Sequence, residues 1–305
     1  MTPREQGEPV GFIGLGNMGA PIAERLVAAG MKVHVYDLDA HANRRLAELG
    51  AIVESSAKAV ADAAVTVCTC LPTIKASESA VFGANGASFG QRIRYFVEMS
   101  TVGPHAVRAA EARLAERRIA TLDAPVSGGA AGVRAGTLAI MIAGPQDVRD
   151  AVRPILSVIS SRIFEIGDAP GQAQTMKLVN NLLAAANMAT SFEALALGVK
   201  LGLSPSKVAE VVNASSGRNS GMEDRKTGPI LTRRFEGLGA ISLLEKDIAL
   251  AFDMAREAGF PVSALNAFTG MAKLWNAAVA QGMAGEDVTA LIKVIEREAG
   301  VEVRG

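Results

Sequence analysis

Val10 to Gly19 reads VGFIGLGNMG, a short apolar run followed by glycines at 14, 16 and 19 and then by the helical spacing of NMGAPIAERLVAAG. An apolar run that ends in glycine and passes into amphipathic spacing is a strand feeding a helix. Glycines spaced G-x-G-x-x-G at that junction each have a physical use. The first permits a tight turn, the second lets an anionic group approach the backbone, and the third lets the helix pack closely on the strand. The unpaired N–H groups of the first helical turn then face the anion. An ordinary glycine-rich turn is the plain alternative. The next strand, KVHVYD, argues against it by ending on Asp37, where a carboxylate can accept hydrogen bonds from a ribose and repel a 2′-phosphate. The loop Gly14, Leu15, Gly16, Asn17, Met18 and Gly19, together with Asp37, therefore reads as a dinucleotide site, with NAD favoured and NADP possible. Arg44 and Arg45 lie well into the following helix, where a solvated face explains them.

Outward from this unit the same rhythm continues. Strands are predicted at VGFIG, KVHVYD, AIVE, AVTVCTC, YFVEMS, ATLDAP, TLAIMIAG and RIFEIG, and amphipathic stretches with Gly or Pro at several ends separate most of them. Alternating strands and helices specify an α/β fold, here a Rossmann-like doubly wound sheet. Beyond Asp168 no strand is predicted. A long helix from about Gly171 to Leu201 is followed by helices near 205–214, 240–258, 264–281 and 285–299, with loops and a short helix over 215–239. Two domains are expected: a dinucleotide-binding domain over 1–168 and an all-α domain over 169–305, joined by the long helix.

Bulk properties narrow the partner. Of 305 residues, 49% are hydrophobic and only 4% aromatic, and 31 Lys plus Arg balance 31 Asp plus Glu. The chain is long enough for two cores, and the balance removes a general electrostatic case for nucleic acid or an anionic membrane. A small molecule is the expected partner. MTPREQGEP at the start is polar and contains two prolines; it reads as a loose leader without signal-peptide character, and no run of transmembrane length is expected downstream. The reading is cytoplasmic. Cys68 and Cys70 are two apart in a strand and share a face, which suits two small buried side chains better than a disulfide. His34, His41 and His105 lack ligand spacing with the cysteines or each other, so no metal site is expected.

The remaining candidates follow strand ends, where ligands sit in open α/β sheets. They are Leu71 and Pro72, then Ser100 and Thr101, then the turn APVSGG, whose Ser127, Gly128 and Gly129 could offer a hydroxyl and successive N–H groups to a carboxylate. Exchange of a hydride with an alcohol carbon also requires a group that handles the hydroxyl proton. The stretch GQAQTMKLVNN (Gly171–Asn181) sets Lys177 in an otherwise apolar helix. A helix apolar nearly all round is usually buried, and desolvation can bring a lysine toward its working range. Asn180 and Asn181, at i+3 and i+4, share its face. Without a cofactor loop, a lysine snorkelling at a domain junction would explain the same pattern.

Four ordered motifs, GFIGLGNMG, DAPVSGG, GQAQTMKLVNN and EKDIALA (Glu245–Ala251), resemble the β-hydroxyacid dehydrogenases over nearly the whole chain. The resemblance implies that Lys177 is the acid/base and that Asn181 supports it or the substrate. It implies that Ser127, Gly128 and Gly129 hold the substrate carboxylate, that Leu71, Pro72 and Thr101 line the nicotinamide side, and that Lys246 and Asp247 serve cofactor and substrate. It further implies a homodimer or homotetramer acting on a small hydroxycarboxylate with NAD(P). The family often carries an aromatic residue about seven positions before the lysine of EKD; Gly239 stands there, which implies a roomier or reshaped pocket. An imine reductase and a non-catalytic NAD-binding sensor or scaffold are the alternative readings.

Overall fold

The computed structural model of the chain describes residues 7–305. The polar leader expected over the first nine residues lies, for its first six, outside the described residues. Compactness divides the chain into two units between Lys177 and Leu178.

The first unit alternates β1 (Val10–Ile13), α1 (Gly19–Ala28), β2 (Val33–Tyr36), α2 (Ala40–Glu48), β3 (Ile52–Val53), α3 (Ala57–Ala63), β4 (Thr66–Thr69), α4 (Ile74–Phe82), β5 (Tyr95–Glu98), α5 (Pro104–Ala115), β6 (Ala120–Asp123), β7 (Val126–Ser127), α6 (Gly129–Ala135), β8 (Ala139–Ala143), α7 (Gln146–Ile159) and β9 (Ile163–Gly167). The strands β3-β2-β1-β4-β5-β6 form a parallel sheet, the order of a dinucleotide-binding half completed on the far side of β1. β6 and β7 then run antiparallel along one edge of β8 in a single register, with Asp123 opposite Ala143 and Val126 opposite Ile140, and β9 pairs parallel on the other edge. Pro125 interrupts that edge because it has no N–H, yet its carbonyl still accepts from Met141 N at 3.0 Å.

Strand periodicity sorts the core onto the two faces of the sheet. Phe12, Cys68, Val97 and Leu122 pack with Ile22 and Leu26 of α1 and Val152 and Leu156 of α7. Their strand neighbours Ile13, Val67 and Phe96 pack with Val60 of α3, Val81 of α4 and Leu114 of α5. A sheet apolar on both faces needs helices on both, which gives the doubly wound arrangement expected from the sequence.

Three elements of this unit escaped the sequence reading. α3 is a two-turn helix whose start is marked by Ser56, its side chain accepting from Ala59 N at 3.1 Å. α6 is short, and its two glycines, Gly129 and Gly132, weaken the helical signal of GAAGVRA. β7 spans Val126 and Ser127 alone, just after Pro125. Of the cysteines, Cys68 is buried as expected, whereas Cys70 is only half-buried; both are free thiols.

α8 (Gln172–Lys200) runs unbroken for 29 residues. The second unit continues with α9 (Pro205–Ala214), α10 (Asp224–Leu231), α11 (Ile241–Glu257), α12 (Asn266–Ala280) and α13 (Ile292–Ala299), without a further strand longer than a single bridge among the described residues. Its core includes the fully buried Trp275, together with Phe192, Leu195, Ile230, Ile248 and Leu291. Two sequence expectations about α8 need correction. By length and composition it could cross a membrane, with half of its most apolar window buried in the protein, so a run of transmembrane length does exist. It is also not buried all round: Val179, Leu183 and Leu197 are 50%, 55% and 60% exposed. The apolar face is broader than the core that one chain supplies.

Candidate functional site

The glycine loop joins β1 to α1, and its three glycines differ in what demands them. Gly14 has φ 95°, and a Cβ there would stand 2.5 Å from the Cys70 carbonyl oxygen. A Cβ on Gly19 would stand 1.8 Å from the Gly14 carbonyl oxygen. The fold itself therefore requires both. A Cβ on Gly16 would meet nothing within 4 Å, and its φ lies outside the left-handed region. Internal packing does not explain Gly16, whereas close approach of a ligand does. Met18, at the start of α1, contributes no side-chain cap, so the first-turn N–H groups are not answered by the helix's own cap residue. These features fit the pyrophosphate of a dinucleotide.

Asp37 ties the loop to the end of β2. Its Oδ2 accepts from Leu15 N at 2.6 Å, its Oδ1 accepts from Asp39 N at 2.8 Å, and Asn43 brackets its backbone on both sides. Each carboxylate oxygen retains acceptor capacity for a ribose hydroxyl. Arg45 pairs with Glu24 on the surface, in keeping with a solvated face. His34 is a buried strand residue whose Nδ1 stands 2.7 Å from Glu54. Among the described residues no group of three or more His, Cys, Asp or Glu side chains is gathered to hold a metal ion.

The carboxyl ends of β4, β5 and β6 carry the next layer. Leu71 N donates to Ser100 Oγ at 2.8 Å, and Glu98, 2% exposed, accepts from Thr69 Oγ1 at 2.9 Å, from Ser100 N at 3.0 Å and from Ser77. Glu98 thus braces the turns that present Leu71, Pro72 and Thr101. Burial pushes its carboxyl above the usual range, against the pull of these donors. Glu98 is the register partner of Asp123 on β6, and residues paired this way in parallel strands share a face. Burial pushes Asp123 up to about 6, with donors from Gln174 and Gly171 opposing and Glu98 adding to the rise.

Asp123 and Gln174, both without solvent exposure, fasten the start of α8 to these strand ends. Asp123 Oδ2 accepts from Gly171 N at 2.8 Å and Gln174 N at 3.0 Å, and its Oδ1 accepts from Gln174 Nε2 at 2.9 Å. The same Nε2 donates to the Ser100 carbonyl at 3.0 Å, while Gln174 Oε1 accepts from Val102 N and Gly103 N, each at 3.0 Å. Three residues further on, Lys177 is 7% exposed. Burial pushes the Cys70 thiol up to about 12, Glu98 adding to the rise and Lys177 opposing it, which sets that lysine within electrostatic reach of the end of β4.

Ser127 ends β7, and Gly128 and Gly129 follow with φ 133° and 68° at the start of α6. Both values lie where glycine is favoured over residues with a side chain.

In the second unit, Asn181 Nδ2 donates to Asp247 Oδ2 at 2.7 Å, Asn180 Nδ2 donates to Asn181 Oδ1 at 3.1 Å, and Lys246 Nζ stands 2.9 Å from Asp247 Oδ1. By pattern alone Lys246 and Asp247 have no role beyond a solvated face, yet Asp247 is buried and joins α11 to α8. Gly239 precedes α11 with φ 140°, a conformation L side chains rarely adopt, and a Cβ there would meet nothing within 4 Å. Asp287 Oδ2 holds this turn by accepting from Leu238 N at 2.7 Å and Gly239 N at 3.0 Å. An aromatic residue at position 239 would need a different backbone.

Comparison with known proteins gives concordant matches. The family model of the NAD binding domain of 6-phosphogluconate dehydrogenase matches residues 9–167, and that of the NAD-binding domain of NADP-dependent 3-hydroxyisobutyrate dehydrogenase matches residues 171–295. A 2-(hydroxymethyl)glutarate dehydrogenase of Eubacterium barkeri is 38% identical over 304 residues, covering 99% of each chain. An L-threonate dehydrogenase of Cupriavidus necator is 33% identical over 97% of this chain and 98% of its own. The crystal structure of a 3-hydroxyisobutyrate dehydrogenase from Salmonella typhimurium superposes with a TM-score of 0.86 at 26% identity, covering 94% of this chain and all of the other.

Proposed function

The chain belongs to the β-hydroxyacid dehydrogenase family, and we propose that Lys177 is the residue through which it exchanges the hydroxyl proton of a 3-hydroxycarboxylate. The chain is an oxidoreductase that uses NAD or NADP and acts on hydroxyacids. NAD is the preferred form, because the Asp37 carboxylate favours a ribose hydroxyl over a 2′-phosphate. The nicotinamide, when bound, supplies or accepts the hydride. The protein must bind and orient the substrate and manage one proton.

The observation that carries the assignment is the nearly buried Lys177 three residues beyond the Asp123–Gln174 clamp. A buried lysine near the carboxyl ends of a dinucleotide-binding sheet supports a proton-transfer role more than a solvated surface lysine would. Its amine accepts the proton in oxidation and returns it in reduction. Ser127 and the N–H groups of Gly128 and Gly129 bind the substrate carboxylate. Asn181, one turn beyond Lys177 on α8, orients the amine or the substrate, with Asp247 fixing the Asn181 amide. Leu71, Pro72 and Thr101 line the nicotinamide side, and Lys246 serves the cofactor. In this division residues 1–168 bind the dinucleotide, and 169–305 provide the helical substrate and oligomerisation domain.

Gly239 favours a substrate with a larger substituent than a methyl group, in line with the hydroxymethylglutarate and threonate named for the two relatives above. A soluble cytoplasmic homodimer or homotetramer is the assembly proposed, since the exposed Val179, Leu183, Leu197 and Leu201 form an apolar surface a second copy would cover. Replacing Lys177 with Ala tests the central assignment. Turnover, followed by absorbance near ~340 nm with a panel of 3-hydroxyacids, is expected to disappear while NADH binding persists. Near-normal turnover in K177A refutes it.

A further inference from the structure

Gln174 and Asp123 are completely buried, polar and absent from any step above. We propose that they are a positioning pair for Lys177, fixing the first turn of α8 through a donor–acceptor pattern that admits one arrangement. The proposal rests on the assignment of Lys177 as the proton-handling group.

Every bond of the network runs from a donor to an acceptor whose identity is fixed. Asp123 receives three N–H groups: Gly171 N, Gln174 N and Gln174 Nε2. The Gln174 side chain gives two N–H groups, to Asp123 Oδ1 and the Ser100 carbonyl, and receives two, from Val102 N and Gly103 N. Turning the Gln174 amide over would set its oxygen against the Ser100 carbonyl and Asp123, and its NH2 against two backbone donors. The orientation is therefore dictated by fixed neighbours. Five backbone groups on the turn after β5 and at the start of α8 are satisfied at once by these side chains. A shift of α8 along its axis breaks several of the bonds together. Such a network defines one register of the helix, which is what a side chain three residues on requires if its amine is to stand at a reacting oxygen.

Reversal of polarity supplies the test. Asp123→Asn sets an NH2 against the Gln174 NH2 or removes an acceptor from two backbone N–H groups. Gln174→Glu sets a carboxylate oxygen against Asp123 and the Ser100 carbonyl. In the double variant D123N/Q174E the new amide at position 123 can donate to the new carboxylate at position 174. Its oxygen still accepts from the backbone N–H groups of residues 171 and 174, and the carboxylate still accepts from Val102 N and Gly103 N. The contact with the Ser100 carbonyl is left unrepaired, because the carboxylate at position 174 still faces that oxygen. Each single variant is expected to lose kcat by about 100-fold, with NADH affinity unchanged and a raised primary deuterium isotope effect, because a misaimed amine makes the chemical step limiting. The double variant is expected to recover most of kcat and the wild-type isotope effect.

A merely structural role would reduce the active fraction and leave the isotope effect alone, and that result overturns the proposal. Folded single variants with wild-type kcat, beside an inactive K177A, overturn it while leaving Lys177 in place. Turnover in K177A removes the assignment beneath it. If the single variants do not fold, the double variant decides: wild-type kcat supports the pair, and a folded protein as slow as K177A refutes it.

Discussion

The three glycines of the cofactor loop permit a test in which two effects of one substitution carry opposite signs. Gly16→Ala introduces a methyl group into space that no protein atom occupies within 4 Å, at a backbone conformation outside the left-handed region. Alanine at a compatible site restricts the unfolded chain, so the apoprotein should be unchanged or stabilised by ~0.4–1 kcal/mol. The same methyl group stands where the pyrophosphate approaches the backbone. Losing one hydrogen bond to a charged group costs roughly 1.5–3 kcal/mol, which weakens the NADH dissociation constant about tenfold to a hundredfold. Gly19→Ala behaves in the opposite way. Its Cβ would stand 1.8 Å from the Gly14 carbonyl oxygen, a backbone clash that costs at least ~1–3 kcal/mol to relieve. Thermal melting without cofactor, paired with NADH fluorescence titration, separates the cases. Wild-type NADH affinity in the Gly16 variant would falsify the role given to this loop, and a Gly19 variant that melts with the wild type would refute its packing.

Two further predictions concern buried charges of the second unit. Burial, with Arg225 adding to it, lowers the Lys226 ammonium to about 8, and its Nζ donates to the Ser220 carbonyl at 2.6 Å. Because the folded value lies below the ordinary 10.5, the fold bears a charged-state cost below pH 8 that fades as pH rises from 8 towards 10.5. Discounted for partial solvent access and for the lost hydrogen bond, Lys226→Met should be neutral or stabilising by about 1 kcal/mol at pH 7, with the difference shrinking near pH 10. A large fall in melting temperature at pH 7 contradicts this. Asp247→Ala removes an acceptor from the Asn181 amide and a counter-charge from Lys246, and should cost about 2–3 kcal/mol in denaturant unfolding. Asp247→Asn should recover part of that through the bond to Asn181; equal loss in both variants contradicts the account.

The first unit was legible because both of its signals are local. Strand runs alternate residues between two apolar faces, and glycines mark the loop where β1 meets α1. What escaped were short elements: α6, where two glycines weaken the helical signal of GAAGVRA, and β7, only two residues long beside Pro125. α3 did carry a signal, Ser56 before AKAVADA, which a search for cap residues finds. Site residues followed the same division. Gly16, Asp37, Ser127 and Lys177 stand out by residue type and place relative to a strand end. Asp247 does not, since a Lys-Asp pair on an amphipathic helix has the pattern of a solvated face; the family resemblance alone named it, and in the structure its burial and its hydrogen bond to Asn181 of another helix distinguish it.

Asp123 and Gln174 were illegible for a stricter reason. Each lay inside a quoted motif, DAPVSGG and GQAQTMKLVNN, and neither has a local partner that explains it: the sequence separation of their contact is 51 residues. A buried glutamine in a helix reads as a defect until the four hydrogen bonds of its side chain are counted, and a buried aspartate reads as a candidate acid until its three donors are seen. Together these bonds occupy both oxygens of the aspartate and both ends of the glutamine amide, which directs the pair toward holding α8 in place and away from chemistry. That distinction also bears on Lys177. A buried ammonium on a loosely held helix end could move outward to solvent, the snorkelling alternative the sequence permits. With residues 171 and 174 tied by their backbone N–H groups to β6, and 174 by its side chain to the turn after β5, the turn that carries the lysine has little freedom to do so, and burial of the charge becomes a property of the fold available for use in proton transfer.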